Sequence, residues 1–279
     1  MCSRRCRPAF ALLVSVLATA ALASAKDKPA LSPEPNWNEE QKVDFLMHAK
    51  IIDSKQTSKG VTAPWRLTMS DGQVTHQALF QAIDERKPVM QFGDGRSELN
   101  FKDSYHFNIA AYQLAKLVGL DNMVPVYVER RWNGQSGSIA WWVPDVQFDE
   151  GDRLKKHVAA PDVDSWNKQM YKIRVFDQLV YDNDPNLTNV LIDKNWKIWR
   201  IDFTRAFRLQ KTLRNPEDLT MCDRQLLDKL RKLDEDELVQ ATKRHLTKSE
   251  AQAVMARRDL VLKKFEQMVA QKGEGAVLY

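Results

Sequence analysis

The stretch 166–208, WNKQMYKIRVFDQLVYDNDPNLTNVLIDKNWKIWRIDFTRAFR, narrows the possible folds more than any other part of this chain. Apolar residues at Met170, Ile173, Val175, Phe176, Leu179 and Val180 recur with a helical period. The helix runs out in Asp182-Asn183-Asp184-Pro185-Asn186, a cluster of loop formers. Two short β runs follow, 189–192 and 196–201, joined by Asp193-Lys194-Asn195, and Asp202-Phe203 ends the second. A tight loop sets Asp184 and Asn189 on one side of a cleft, and the hairpin returns Asp202 opposite. Their oxygens can then share a hard cation. D-x-x-x-x-N alone is an ordinary loop pattern, and its plain reading is a solvated turn with Asp202 capping the next element. The order helix, loop, hairpin, I-D-F gives it chemical meaning.

Phosphoryl-transfer enzymes of the protein-kinase type use this layout. A catalytic-loop Asp accepts the acceptor hydroxyl proton, while an Asn five residues on and a second Asp hold Mg²⁺. The run FDQLVYDNDPNLTNVLID, followed by WRIDFTRAF, resembles the atypical kinase superfamily of phosphoinositide 3-/4-kinases, HipA-type toxin kinases and secretory-pathway Golgi kinases. Their line runs roughly F-D-x-L-I-x-N-x-D-R-x-x-x-N-x-L, then I-D-x-x-x-A-F. The resemblance covers about 45–265, with its specific part in 176–207. It implies an α+β, two-lobed protein-kinase-like fold with a small mainly β lobe and a larger mainly helical lobe. It also implies Asp184 as the catalytic residue, Asn189 and Asp202 as metal ligands, Mg²⁺ or Mn²⁺ as the cation, and ATP or another nucleotide. Two departures stand out: Asp182 where the family prefers Asn, and Pro185 where it often has Arg or His.

Residues 1–25 read as an export signal: Arg4, Arg5 and Arg7, an apolar run from 9 to 21, then Ala23-Ser24-Ala25 as a cleavage site. Removing it takes three Arg and no acid, so the net charge falls from +5 to +2. The basic balance therefore gives no footprint for nucleic acid, which needs a clustered basic face. Cys2 and Cys6 leave with the signal, and Cys222 alone excludes an internal disulfide or a Cys-based metal site. An exported chain without disulfides fits the bacterial periplasm or exterior. No further apolar stretch is long enough to span a membrane. Residues 26–37 read as a flexible leader, 38–146 as the small lobe, 147–272 as the large lobe and 273–279 as a tail.

In the small lobe, β runs with turns fill 51–83. Lys59-Gly60 stand where a loop would cover the phosphates, although an ordinary β turn reads equally well. Kinases need a strand Lys paired with a helix Glu to orient the phosphates. The relatives' A-x-F-K and R-R-E-x-A-A-Y align with Ala78-Leu79-Phe80-Gln81 and His106-Phe107-Asn108-Ile109-Ala110-Ala111-Tyr112. Gln81 and Asn108 thus replace both charges together, as a neutral amide pair. Lys87, Arg96, Glu98 and Lys102 follow on a segment read mainly as a solvated loop. A rebuilt ion pair of Glu98 with Lys102 or Arg96 is the alternative.

A helix over about 104–118 stopped by Gly119, a strand pair at 124–129 and 138–143, and an Asn133-Gly134 turn come next. Trp142 and Val143, within Trp141-Trp142-Val143-Pro144, align with a hinge that stacks a nucleotide base; plain core packing is the competing reading. Helices over 223–233, 236–245 and 248–270 complete the chain, with a capping box at Thr247 and Glu250. Arg257-Arg258 and Lys263-Lys264 read as a solvated face.

Three functions fit. One is an exported kinase acting on an unknown protein or small-molecule hydroxyl acceptor. The second is a pseudokinase serving as a nucleotide- or partner-binding regulatory module. The third is a structural envelope protein.

Overall fold

The computed structural model describes residues 30–57, 64–183 and 186–279; the segment read as an export signal, Lys59, Gly60 and Asp184 lie outside them. The chain opens with α1 (Glu39–His48), whose Asn38 cap and Gln41 close a reciprocal capping box. Next come β1 (Lys50–Gln56), β2 (Trp65–Ser70), β3 (Thr75–Gln81), β4 (Asp84–Gln91), β5 (Ser97–Ser104), α2 (His106–Val118), β6 (Tyr127–Trp132) and β7 (Gln135–Trp141). Five of these strands make an antiparallel sheet in the order β1-β2-β3-β7-β6. Asn133 and Gly134 both have positive φ, 49° and 77°, as a two-residue hairpin turn matched to strand twist requires.

Alternation along these strands gives the sheet two different faces. Leu67, Met69, Ala78, Phe80, Ile139 and Trp141 bury against Phe45, Leu46 and Ala49 of α1 and its end. The opposite face carries Arg66, Leu79, Gln81, Ser138 and Ala140 and looks toward α2 and the rest of the chain. Gly137 is needed on β7, because a Cβ there would meet the Gln81 carbonyl oxygen at 2.4 Å. Residues 30–37, expected as a flexible leader, lie along β3 instead. Ser32 pairs with Thr75, Glu34 accepts from the Trp141 indole at 3.0 Å, and Trp37 packs on Phe45 and Trp141.

The second lobe is built from β8 (Val146–Asp149), α3 (Glu150–Lys155), α4 (Val163–Val180), β9 (Val190–Asp193), β10 (Ile198–Arg200), α5 (Arg224–Lys232), α6 (Glu235–Thr242) and α7 (Lys248–Lys272). Helix α4 starts on the Asp162 cap and ends at Tyr181, which takes the left-handed conformation at φ 46°. Its buried face, Ile173, Phe176, Leu179 and Val180, joins α2, α5 and α7 in one core. Residues 273–279 dock on this lobe, with Leu278 bridging Cys222 and the Tyr279 hydroxyl donating to the Lys168 carbonyl. Cys222 is buried, and burial pushes its thiol up to about 12, so it stays protonated and inert.

Two expectations are corrected. Residues 84–104 are a hairpin of β4 and β5, separate from the main sheet, not a solvated loop. Lys87 and Arg96 are exposed and pair locally with Glu85 and Asp94, whereas Lys102 reaches Glu250 across to α7 at 2.6 Å, both side chains largely buried. Arg257 is fully buried, not solvated. It donates to the carbonyls of Leu179, Arg208 and Gln210, which the irregular chain there leaves without strand or helix partners. Arg258 serves Leu230 and Leu233 in the same way at the end of α5.

The start of α2 meets the end of α6 through two imidazoles, His106 and His245, whose Nδ1 atoms lie 2.9 Å apart. Glu129, Arg244 and Tyr105 surround them. Burial, then the neighbouring His106, lowers His245 to about 4, and burial lowers His106 as well. Both rings are therefore neutral in the fold and protonate readily only when it opens. The contribution is complete above the unfolded value near 6.5 and is lost as the pH falls toward 4. We predict that the protein is about 2 kcal/mol less stable at pH 5 than at pH 7.5 from His245 alone. Urea titrations at both pH values check this, and His245→Gln should flatten the difference.

Candidate functional site

The β9–β10 hairpin carries the acidic-loop residues because its ladder continues one step past the strands. Val190 pairs with Arg200, and the Ile201 amide donates to the Asn189 carbonyl at 2.9 Å. Asn189 and Asp202 are thereby brought to the same end of the hairpin. Asn189 sits in a 3₁₀ turn (Leu187–Asn189) capped by the Asn186 side chain. Asp202 adopts φ 58°, a left-handed conformation unusual for a residue with a side chain. Such backbone persists only where its surroundings over-determine it.

They do. Phe203 is fully buried and packs edge-on to Phe176 of α4. Its amide donates to Asn108 Oδ1 at 2.7 Å. Asn108, fully buried on α2, donates in turn to Gln81 Oε1 at 2.7 Å and Ser138 Oγ at 3.1 Å. The Gln81 amide lies 3.4 Å from Asp202 Oδ1, and the Thr204 hydroxyl donates to the same oxygen at 3.2 Å. Gln81 and Asn108 are thus hydrogen-bonded to one another, in the relation the alignment gave the missing Lys and Glu. Burial raises the Asp202 carboxyl above its usual range, partly offset by the Gln81 amide, the Arg200 charge and the Thr204 hydroxyl.

The position of Asp182 accounts for an Asp there, where the kinase pattern it resembles has Asn. Its carboxylate pairs with Arg200 at 2.8 Å, and Arg200 also holds Asp177 at 3.0 Å. Arg200 is 2% exposed, so an Asn at position 182 would leave much of its charge uncompensated. The Arg214 guanidinium donates to the Asp182 carbonyl. The loop leading to Asp184 is therefore anchored to the strand leading to Asp202.

In the segment read as a hinge, the two tryptophans separate. Trp141 is core: it stacks on His76 at 3.8 Å between ring centroids and belongs with Trp37 and Phe45. Trp142 lies in the segment between β7 and β8, with the Arg66 guanidinium 4.4 Å over its ring and Arg66 also donating to Gln77. Val143 is buried.

Sequence reasoning missed two residues here, Arg66 and Asp103, and gave a third, Glu98, other partners. Arg66 was hidden because a lone Arg in a strand carries no motif. Asp103, at the end of β5, has a buried carboxylate oxygen without a hydrogen-bond partner; burial raises its carboxyl, and Asp202 adds to this while the Thr204 hydroxyl and Arg205 oppose it. Glu98 pairs with Arg205 and Arg208, not with Lys102 or Arg96. No pattern in the sequence reveals such pairings across a hundred residues.

A carboxylate and a carboxamide at one end of a hairpin form an oxygen donor set of the kind hard divalent cations prefer. The Gln81 and Thr204 side chains both reach Asp202 at Oδ1. The chemistry of these oxygen donors fits Mg²⁺ or Mn²⁺. Among the described residues no group of three or more His, Cys, Asp or Glu side chains is placed to hold a metal by itself.

Taken together, a β lobe, a helical lobe and this hairpin between them define a two-lobed, kinase-like fold. The chain is similar to the structure of hydra Fam20 with sugar, at TM-score 0.64 and 13% identity, over 86% of this chain and 91% of that one. It is also similar to the Golgi casein kinase, at TM-score 0.59 and 13% identity, over 86% of this chain and 78% of that one. A form of that kinase with Mn/ADP bound gives TM-score 0.58, again at 13% identity and the same coverage. No family model and no curated sequence matches the chain. No helix among the described residues is long and apolar enough to cross a membrane.

The amide network makes a direct energetic prediction. Asn108→Leu strips the Phe203 amide and the Gln81 side chain of partners in a buried setting. The expected loss is about 3 kcal/mol, read from denaturant midpoints. Gln81→Leu should couple to it by about 1 kcal/mol in a double-mutant cycle.

Proposed function

We propose that the cleft binds a nucleoside triphosphate with one or two divalent cations and transfers the terminal phosphoryl group to a hydroxyl of a protein or small molecule. Export would place the reaction in the periplasm or outside the cell. The observation that carries this reading is the Asn108 network. It keeps strand β3, helix α2 and the Asp202 turn in one assembled arrangement although the usual strand Lys and helix Glu are absent. Phosphoryl transfer asks little covalent chemistry of a protein; positioning and charge stabilisation supply most of the rate.

In this proposal Asp184 accepts the acceptor's hydroxyl proton as the new O–P bond forms, and the leaving diphosphate departs on the opposite side. Asn189 and Asp202 would hold the cations, whose chemistry is to neutralise charge on the phosphates. Gln81 and Asn108 orient Asp202 and offer a neutral amide toward the phosphates, and Trp142 with Val143 would flank the base. Lys59 and Gly60 are proposed to cover the phosphates, on the sequence alignment alone. The fold neighbour with Mn/ADP bound supports a nucleotide site with a divalent metal by analogy of fold.

A second reading, a pseudokinase that binds a nucleotide or a partner without transfer, is favoured by Arg66. Its guanidinium already covers the Trp142 ring, so a base must displace it or be sandwiched against it. The two readings part on one set of measurements. Titrating the protein with ATP and Mn²⁺ or Mg²⁺ by calorimetry should show binding that vanishes with chelator and with Asp202→Ala. Asp184→Ala should retain binding and lose transfer to any acceptor, including water. Restoring the charges with Gln81→Lys and Asn108→Glu should tighten nucleotide about tenfold to a hundredfold. Binding without turnover in the natural protein selects the pseudokinase; no divalent-dependent binding in either form overturns both readings.

A further inference from the structure

The β4–β5 hairpin spends its inward-facing groups on the other lobe. The Ser104 amide donates to the Thr204 carbonyl at 2.9 Å, and Lys102 reaches Glu250. The hairpin also encloses Arg205, whose guanidinium lies 4.4 Å from the Phe101 ring centroid and 5.8 Å from that of Phe92. Glu98 accepts a hydrogen bond from Arg205 and lies 2.8 Å from the Arg208 guanidinium. The Asn183 amide lies 3.4 Å from the same carboxylate, and the Asn183 backbone amide donates to the Arg205 carbonyl at 3.3 Å. One carboxylate therefore joins the residue before Asp184 to the segment after Asp202, the two stretches that flank the acceptor side of the cleft.

The electrostatics make Glu98 hard to replace. Arg205 and Arg208 are both largely buried, and their Nε atoms find no hydrogen-bond partner. The contact of Arg208 with Glu98 is short but poorly aligned, so its NH2 group is not hydrogen-bonded either. Burial lowers the Arg208 pKa; Glu98 opposes that shift most, and Arg205 adds to it. Asp182 and Asp103 also oppose the shift, more weakly than Glu98; Asp182 pairs directly with Arg200, and Asp103 accepts from the Thr204 hydroxyl. Two like charges in a dry site separate unless an anion stays between them.

In switchable kinases a segment of this kind is ordered when an added phosphate pairs with arginines. Here the anion is part of the chain. We propose that Glu98 is a positioning residue, a built-in substitute for an activating phosphate. It holds the loop before Asp184 and the segment after Asp202 in their assembled arrangement, so that the acceptor side of the cleft needs no modification to form. This rests on the phosphotransferase reading for its purpose but not for its test.

The test is amide hydrogen exchange on the full-length protein, with ATP–Mn²⁺ binding and turnover followed in parallel. Glu98→Ala should speed exchange at least tenfold in peptides covering 180–183 and 203–209 and leave those from α7 and from β2–β3 unchanged. Nucleotide affinity should move less than threefold, while kcat falls at least tenfold at unchanged nucleotide KM. The charge swap Glu98→Arg with Arg205→Glu should recover at least part of the protection, which a purely steric role for Glu98 would not allow. If Glu98→Ala does not fold, Glu98→Gln carries the test: it keeps shape and loses charge, and should loosen the same two stretches. Unchanged protection there, or an equal rise across the whole chain, overturns the proposal. Should the natural protein bind no nucleotide, the functional reading fails, and the exchange data still decide the role of Glu98.

Discussion

The arrangement of the cleft depends on one buried carboxamide. Asn108 offers an acceptor to the Phe203 amide and donors to Gln81 and Ser138, so a helix, two strands and the Asp202 turn meet at a single side chain. Each of those partners is inside the protein, where an unmade hydrogen bond costs about 1–3 kcal/mol. That penalty supports the left-handed backbone of Asp202, which would otherwise relax. A Lys–Glu pair at the same place would do the joining with charge and would need its desolvation offset. The amide pair does it with neutral groups and so remains complete when no phosphate is bound.

Around this hub the protein uses buried guanidinium groups as struts. Arg200 ties the loop before Asp184 to strand β10, and Arg257 collects three carbonyls at the back of the same region. Arg130 reaches the carbonyls of Leu46 and Ala49, fastening the end of α1 to β6. The five donors of a guanidinium suit irregular backbone, whose carbonyls point in several directions and belong to no ladder. Glu98 with Arg205 and Arg208 extends this scheme to the β4–β5 hairpin. The residues before Asp184 and the segment after Asp202 are thereby held by α2, α7 and the β4–β5 hairpin.

What the sequence by itself determined follows from local chemistry. Period-3.6 apolar residues placed α4 and α7. Asn133-Gly134 set a hairpin because both positions need positive φ, and the Thr247–Glu250 capping box marked the start of α7. The order helix, D-x-x-x-x-N, hairpin, Asp-Phe brought Asn189 and Asp202 to one end of a β-ladder. The resemblance put Gln81 and Asn108 at paired positions, and the two side chains are hydrogen-bonded at 2.7 Å. All of these are decided by neighbours in the chain or by a motif whose spacing is itself geometric. The tertiary structure alone decided which charges are buried. Lys102, Glu98, Arg205, Arg208 and Arg257 look in sequence like any solvated face, because a charged side chain carries no mark of its eventual partner. The β4–β5 hairpin escaped for a related reason: its strands are mostly exposed on both faces, so no alternation of apolar and polar residues betrays them. Local pattern specifies elements and their ends, whereas pairing of charges depends on long-range packing that brings residues a hundred positions apart within 3 Å.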